Sequence, residues 1–177
     1  MKKVAIAAIL SAFVGAPAVA ADLYAGVKLG TVNYGYSNAT NNGQAGFGLL
    51  GGYTINETFA IEVEYSDLGG FDSSTSTIKG SSFGVSGIGF YPLNPQSSFF
   101  GKLGIASSSL KETAKPSSGF SGSATINNTG VTVGFGGQYN VSNTTGIRVG
   151  LDIYPVGDVD TTTSSASMLY VGGVFKF

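Results

Sequence analysis

Phe59-Ala60-Ile61-Glu62-Val63-Glu64-Tyr65-Ser66 carries an apolar side chain at every odd position and a small or charged one at every even position. Strand side chains alternate between faces, so this stretch makes a strand with one apolar and one charged face. The same parity returns in Ile147-Arg148-Val149-Gly150-Leu151-Asp152-Ile153-Tyr154. It returns once more at the end of the chain, where Leu169, Val171, Phe175 and Phe177 are odd and Tyr170 and Lys176 even. Working outward, the pattern predicts eight strands, roughly 23–35, 44–54, 58–67, 80–91, 98–107, 129–140, 145–154 and 167–177. Within them every charge stands at an even position: Lys28, Glu62, Glu64, Lys102, Arg148, Asp152 and Lys176. Glu57, Asp67, Lys79, Lys111 and Lys115 fall in turns, loops or strand ends. In the fourth run Ile88 and Phe90 join Ser82 and Ser86 on the even face, which leaves its register open.

No stretch reads as an amphipathic helix, and Gly, Ser, Thr, Asn, Tyr, Phe and Val dominate throughout, so the class is all-β. The connections alternate in length. Ile55 to Glu57, Pro92 to Ser97 and Val141 to Thr144 are short; Tyr36 to Gly43, Leu68 to Lys79, Ser108 to Asn128 and Pro155 to Ala166 are long. An even number of strands with this asymmetry is expected of an antiparallel up-and-down transmembrane β-barrel, with short periplasmic turns and long outer loops.

The N-terminus points to the same compartment. Lys2 and Lys3 precede a short apolar run, Val4 to Val14, and Ala18-Val19-Ala20 fits a secretory cleavage site. Residues 1–21 are expected to be a signal peptide and 22–177 the barrel domain, because the apolar run is too short to span a membrane as a helix. The absence of Cys rules out a disulfide framework, so stability must come from a closed hydrogen-bonded sheet. A mildly acidic chain offers nothing to a nucleic acid.

Alternation alone leaves a soluble secreted ligand-binding barrel open. Two features favour the membrane. Only 11% of residues are charged, few for a soluble surface. Aromatic residues also gather where strands meet the short turns, at Tyr53, Phe59, Tyr91, Phe99 and Tyr139, which predicts an interfacial girdle.

Several stretches together resemble the small eight-stranded outer-membrane barrels of the OmpA transmembrane-domain type. They are Leu23-Tyr24-Ala25-Gly26-Val27-Lys28-Leu29-Gly30, Gly51-Gly52-Tyr53-Thr54-Ile55-Asn56, Glu62, Tyr65-Ser66-Asp67-Leu68-Gly69, Gly136-Gly137-Gln138-Tyr139, Arg148 and Phe177. The resemblance implies an interior salt-bridge network containing Glu62 and Arg148. It also implies a C-terminal signal for the barrel assembly machinery within Tyr170 to Phe177, with Tyr170, Gly172, Phe175 and Phe177 as its bearers. Gln138 stands where that family often has Glu, Trp is missing from the girdles, and no peptidoglycan-binding domain is expected.

Other patterns invite a chemical reading. Gly46-Phe47-Gly48-Leu49-Leu50-Gly51 matches a dinucleotide fingerprint, but no helix follows to hold a pyrophosphate, and the glycines more simply leave room for long inward side chains. Glu62 and Glu64, about 6 to 7 Å apart on one face, overlap the spacing of an inverting glycosidase pair. The favoured alternative is that they neutralise Lys28, Lys102, Lys176 or Arg148 in the lumen, with Gln138 and Asp152 in the same network. With neither His nor Cys, no imidazole base, thiolate nucleophile or His-ligated metal is available. Asp158 and Asp160 are read as solvated rather than as a Ca²⁺ site. Asn38, Asn56, Asn127 and Asn143 head N-x-Ser/Thr triplets as composition only.

The sequence therefore predicts a monomeric, non-enzymatic barrel without metal or cofactor, closed by a charged lumen and surrounded by outer-membrane lipid. Its function is expected in surface loops that contact an extracellular ligand, Ser108 to Asn128 above all; a narrow pore is the alternative.

Overall fold

A computed structural model describes residues 23–34, 43–72, 76–114, 122–157 and 165–177. The expected signal peptide, Asp158, Asp160, Lys115 and nearly all of Tyr36 to Gly43 lie outside the described residues. Eight strands follow in order: β1 (Leu23–Tyr34), β2 (Gln44–Asn56), β3 (Phe59–Asp72), β4 (Ser76–Pro92), β5 (Ser97–Ala114), β6 (Ser123–Asn140), β7 (Thr145–Pro155) and β8 (Ser165–Lys176). Each pairs antiparallel with its neighbour, and β1 pairs with β8 from Tyr24↔Lys176 to Tyr34↔Ala166, so the sheet closes on itself. Closure leaves no open edge where the wall meets lipid, where an unpaired backbone group is costly.

Parity sets what faces inward. Along β7, Gly146, Arg148, Gly150, Asp152 and Tyr154 are buried, while Ile147 and Val149 are exposed. The fourth strand obeys the same rule. Ile88 is buried beside Ser82 and Ser86, and Ala60↔Ile88 and Ile88↔Lys102 are in register, so its apolar even residues are lumen packing and not a slip. The rule ends in β3 at a bulge between Asp67 and Gly70, where Gly69 takes a φ of 67° and donates its N–H to Asp67 Oδ1 at 2.8 Å.

The three short turns share one design that the sequence reading passed over. Tyr53-Thr54-Ile55-Asn56, Tyr91-Pro92-Leu93-Asn94 and Tyr139-Asn140-Val141-Ser142 each place an outward Tyr, then an exposed aliphatic, then a cap. Asn56 Oδ1 accepts the N–H groups of Thr58 and Phe59 at 2.9 Å, and Asn94 Oδ1 those of Gln96 and Ser97 at 3.0 and 2.8 Å. Ser142 Oγ accepts from Thr144 and Thr145 at 3.2 and 3.0 Å. Short polar side chains close such turns by replacing a backbone acceptor.

The other end departs from the expectation of long loops. Most of Ser108 to Asn128 is strand: β5 runs to Ala114 and β6 starts at Ser123, with Lys111 facing Thr125 and Leu110 facing Ile126. Most of Leu68 to Lys79 is strand as well, in β3 and β4. Here Ser, Thr, Ala and Asn occupy both faces, so hydrophobic alternation disappears although the backbone ladder continues. The strands β3 to β6 thus rise beyond the apolar belt as a ribbon.

Candidate functional site

The lumen is filled in layers. Nearest the short turns, Tyr24, Leu50, Ala60 and Val174 pack together with Phe90 against them. At the far end Val32, Tyr34, Leu68, Leu110, Val156 and Met168 form an apolar cap, all buried. Between the two lie the charges. Small residues in β2 make room for them: a Cβ on Gly48 would meet the Lys28 chain, and one on Gly52 would meet the Tyr24 ring. The run that resembled a dinucleotide fingerprint is thus a strand whose missing side chains accept inward ones.

Arg148 and Glu62 form the lower part of the network. Arg148 Nη1 donates to Glu62 Oε2 at 2.7 Å, and Nε and Nη2 both donate to Gln138 Oε1 at 3.1 and 3.0 Å. Tyr24 OH donates to the same Glu62 oxygen at 3.0 Å. The guanidinium also lies over the ring of Phe100, 5.0 Å from its centroid, which stabilises a cation out of water. Gln138, in the place where a Glu was expected by resemblance, contributes an acceptor without adding a charge.

Above it, two lysines and two carboxylates form a ring. Lys28 Nζ lies 2.7 Å from Glu64 Oε1 and 2.5 Å from Asp152 Oδ2; Lys102 Nζ lies 2.6 Å from Glu64 Oε2 and 3.2 Å from Asp152 Oδ2. Tyr154 OH, which donates to Glu64 Oε1 at 2.6 Å, and Ser66, which donates to it at 2.8 Å, complete the cluster. Lys28 also lies over the Tyr170 ring, 4.7 Å from its centroid. Tyr24, Ser66 and Tyr154 were not named as site residues, although their even positions were the signal for it. Three cations, Lys28, Lys102 and Arg148, are balanced by three anions, Glu62, Glu64 and Asp152, all buried. That balance is what a low-dielectric interior requires.

Lys176 does not join them. It is half-buried beside the chain end, level with Tyr24 at the short-turn mouth, and has no ion pair among the described residues. Its expected partners are held deeper by Lys28, Lys102 and Arg148. Glu62 and Glu64 are likewise fully engaged, and the space beside Glu64 and Lys102 is a cavity of about 10 Å³, close to the size of one water and far too small for a sugar. Asp152 Oδ1 is the buried side-chain atom without a hydrogen-bond partner among the described residues.

On the outside, Tyr53, Phe59, Tyr91, Phe99 and Tyr139 are all exposed, at the short-turn ends of β2 to β6. Above them the outward positions stay apolar as far as Tyr65, Phe83, Ile105 and Val131. Beyond that they turn polar, at Ser81, Ser107, Ser109, Thr129 and Asn127. The apolar belt covers about eight residues of a tilted strand, on the order of 20 Å along the axis, close to the height of an outer-membrane apolar band. In the last strand Tyr170 is buried, Gly172 is half-buried, and Phe175 and Phe177 are exposed in line with the belt.

A closed antiparallel barrel with an apolar belt and a self-neutralised, packed interior is a transmembrane β-barrel of the smallest size class. Residues 5–171 match the outer membrane protein beta-barrel domain, and the chain belongs to that family. Among solved structures it is similar to Neisserial surface protein A, at 18% identity and a TM-score of 0.72, over 88% of this chain and 97% of that one. It is also similar to Ail, the attachment invasion locus protein of Yersinia pestis, at 18% identity and a TM-score of 0.59, over 88% and 97% of the two chains. A third similar structure is the outer membrane protein OprG of Pseudomonas aeruginosa, at 13% identity and a TM-score of 0.58, over 89% and 97%. At these identities the likeness is one of fold. No curated protein matches the sequence.

Proposed function

We propose that the protein is a sealed, non-enzymatic outer-membrane barrel that displays the β3 to β6 ribbon at the cell surface, where it contacts an extracellular ligand or host surface. The observation that carries this reading is the lumen. Among the described residues its six charges neutralise one another between two apolar layers, a packing that supports a sealed interior in which the lumen carboxylates are taken up by ion pairs. Function then falls to what emerges from the membrane. The orientation follows the rule of the class, short turns in the periplasm and the ribbon outside.

The remaining roles complete the proposal. Residues 1–21 direct export and are removed. The terminal strand, through Tyr170, Gly172, Phe175 and Phe177, is read by the barrel assembly machinery. The aromatic girdle seats a monomer in the lipid, and no partner subunit is needed, because the sheet is already closed.

Two measurements test this. In planar bilayers the protein should show conductance near background; a large, steady pore would overturn the sealed lumen and favour transport. Replacing residues 111–125 with a short turn should leave folding intact while abolishing binding to the cell-surface partner. Ser108 and Leu110 must be kept, because both are buried in the barrel interior. Binding that survives the replacement would move the function elsewhere.

A further inference from the structure

The two faces of the ribbon differ in charge. The outer face carries both signs: Lys79 of β4 stands opposite Lys111 of β5, while Asp67 and Asp72 of β3 stand opposite Ser81 and Thr77 of β4. The inner face, above the barrel mouth, carries a single charge among the described residues. This is Glu112 of β5, exposed and in register between Ile78 of β4 and Ala124 of β6. One step nearer the membrane, Leu110 stands between Gly80 and Ile126. Leu110 belongs to the apolar cap and Ile78 packs against it, so the cap continues upward as an apolar surface with a carboxylate at its top. No described cation pairs with that carboxylate: Lys111 has the opposite parity, and Lys28, Lys102 and Arg148 are held in the lumen.

Height and direction decide what Glu112 can meet. Ser107 pairs with Phe83, the last outward apolar residue of β4, and Glu112 lies beyond it by about 16 Å of strand, or about 12 Å along the axis at a barrel tilt. It faces away from the surrounding lipid, over the mouth. Ile126 beside it is only half-buried, because the chain leaving β7 passes at Gly157 without a side chain; a Cβ there would lie 3.3 Å from Ile126 Cγ2. Ile126 is diagonal to Glu112, about 7 Å away. Alternate side chains of an extended chain repeat at about 6.7 Å, so one such chain can set a side chain on each. A carboxylate on apolar surface repels a sulfated or phosphorylated polymer and selects a cation that brings apolar neighbours with it.

We propose that the inner face of the ribbon binds an extended peptide segment of the surface partner, in which a Lys or Arg pairs with Glu112 and the aliphatic residues two positions away cover Ile78 and Ile126. The ion pair is a charge-assisted hydrogen bond, and the aliphatic contacts shield it from water. This inference rests on the surface role proposed above and names the chemistry of its partner.

The test is the binding of a fluorescent Ser-Val-Ser-Lys-Ser-Val-Ser peptide to the barrel refolded in neutral detergent, read by anisotropy. The wild type should bind it, and should not bind the same peptide with Glu in place of Lys. Glu112→Gln should weaken binding about tenfold, the size of one charge-assisted hydrogen bond. Glu112→Lys should reverse the preference and take the Glu peptide. Lys111→Gln, next in the chain but on the outer face, should leave the affinity within about twofold at physiological salt. Glu112 is exposed, so its variants should keep the wild-type gel mobility, and a lost affinity is then not lost folding. Equal affinity of wild type and Glu112→Gln would overturn the site. So would a sulfated oligosaccharide bound through Lys79 and Lys111 in preference to the peptide, which would move recognition to the outer face. Cell-surface binding that is lost on replacing 111–125 but unchanged by Glu112→Lys overturns this site and leaves the surface role standing. Peptide binding by the wild type, together with cell-surface binding that survives the replacement, overturns the surface role and leaves the site.

Discussion

At the short-turn end, three hairpins repeat one local recipe, an outward Tyr, an exposed aliphatic and a capping Asn or Ser; at the ribbon end the strands continue through Ser, Thr and Asn with no recipe at all. The first end is made by contacts within a few residues, such as Asn94 Oδ1 on Gln96 and Ser97. The second is made by register alone: once Ser108 and Asn128 are paired, each further pair toward Thr113↔Ser123 extends an existing ladder. Turns join the hairpins, and the ladder carries them past the lipid. The charged waist between them ties the wall to itself, since Arg148 of β7 reaches Glu62 of β3 across the lumen.

The waist is where disruption should be largest. Arg148→Met leaves Glu62 only its longer, 3.9 Å contact with Lys102 and should lower stability by about 3 to 5 kcal/mol. Adding Glu62→Met should recover part of that loss, so that the double variant costs less than the two single losses added together. Urea unfolding in lipid vesicles measures both, and strict additivity would show that the two residues are uncoupled.

A second, smaller contrast runs along one face of β6. Val133→Lys sets a charge in the lipid belt and should cost about 2 to 4 kcal/mol near mid-membrane. Asn127→Lys, on the same outward face but in the ribbon, should stay within about 0.5 kcal/mol of wild type. Equal effects would erase the boundary between belt and ribbon. Thr132 makes a poor inward control, because it is buried and its Oγ1 donates to the Ile153 carbonyl at 2.8 Å.

The smallest effect separates the two ends directly. Asn94→Ala removes a cap from two N–H groups and should cost about 1 kcal/mol, seen as a lower midpoint in the same vesicles. Shortening the ribbon by replacing 111–125 should leave that midpoint unchanged within about 0.5 kcal/mol. A cap variant milder than the truncation would mean that the ribbon, and not the turns, organises the fold.

Alternation by itself determined the strand count, the closed all-β class, the inward parity of Lys28, Glu62, Glu64, Lys102, Arg148 and Asp152, and the outward girdle, because a strand in a two-faced environment must sort its side chains with period two. The even positions of Tyr24, Ser66 and Tyr154 were visible too, but not that they would close hydrogen bonds around Glu62 and Glu64. Only the tertiary structure decided which carboxylate meets which cation, since partners such as Lys28 and Asp152 are 124 residues apart and meet across the lumen. It also set Lys176 apart, because depth along the axis depends on strand register and tilt, which parity does not encode. The ribbon was hidden for the complementary reason: beyond the lipid no face has to be apolar, so the sequence loses its alternation while the backbone keeps its hydrogen bonds.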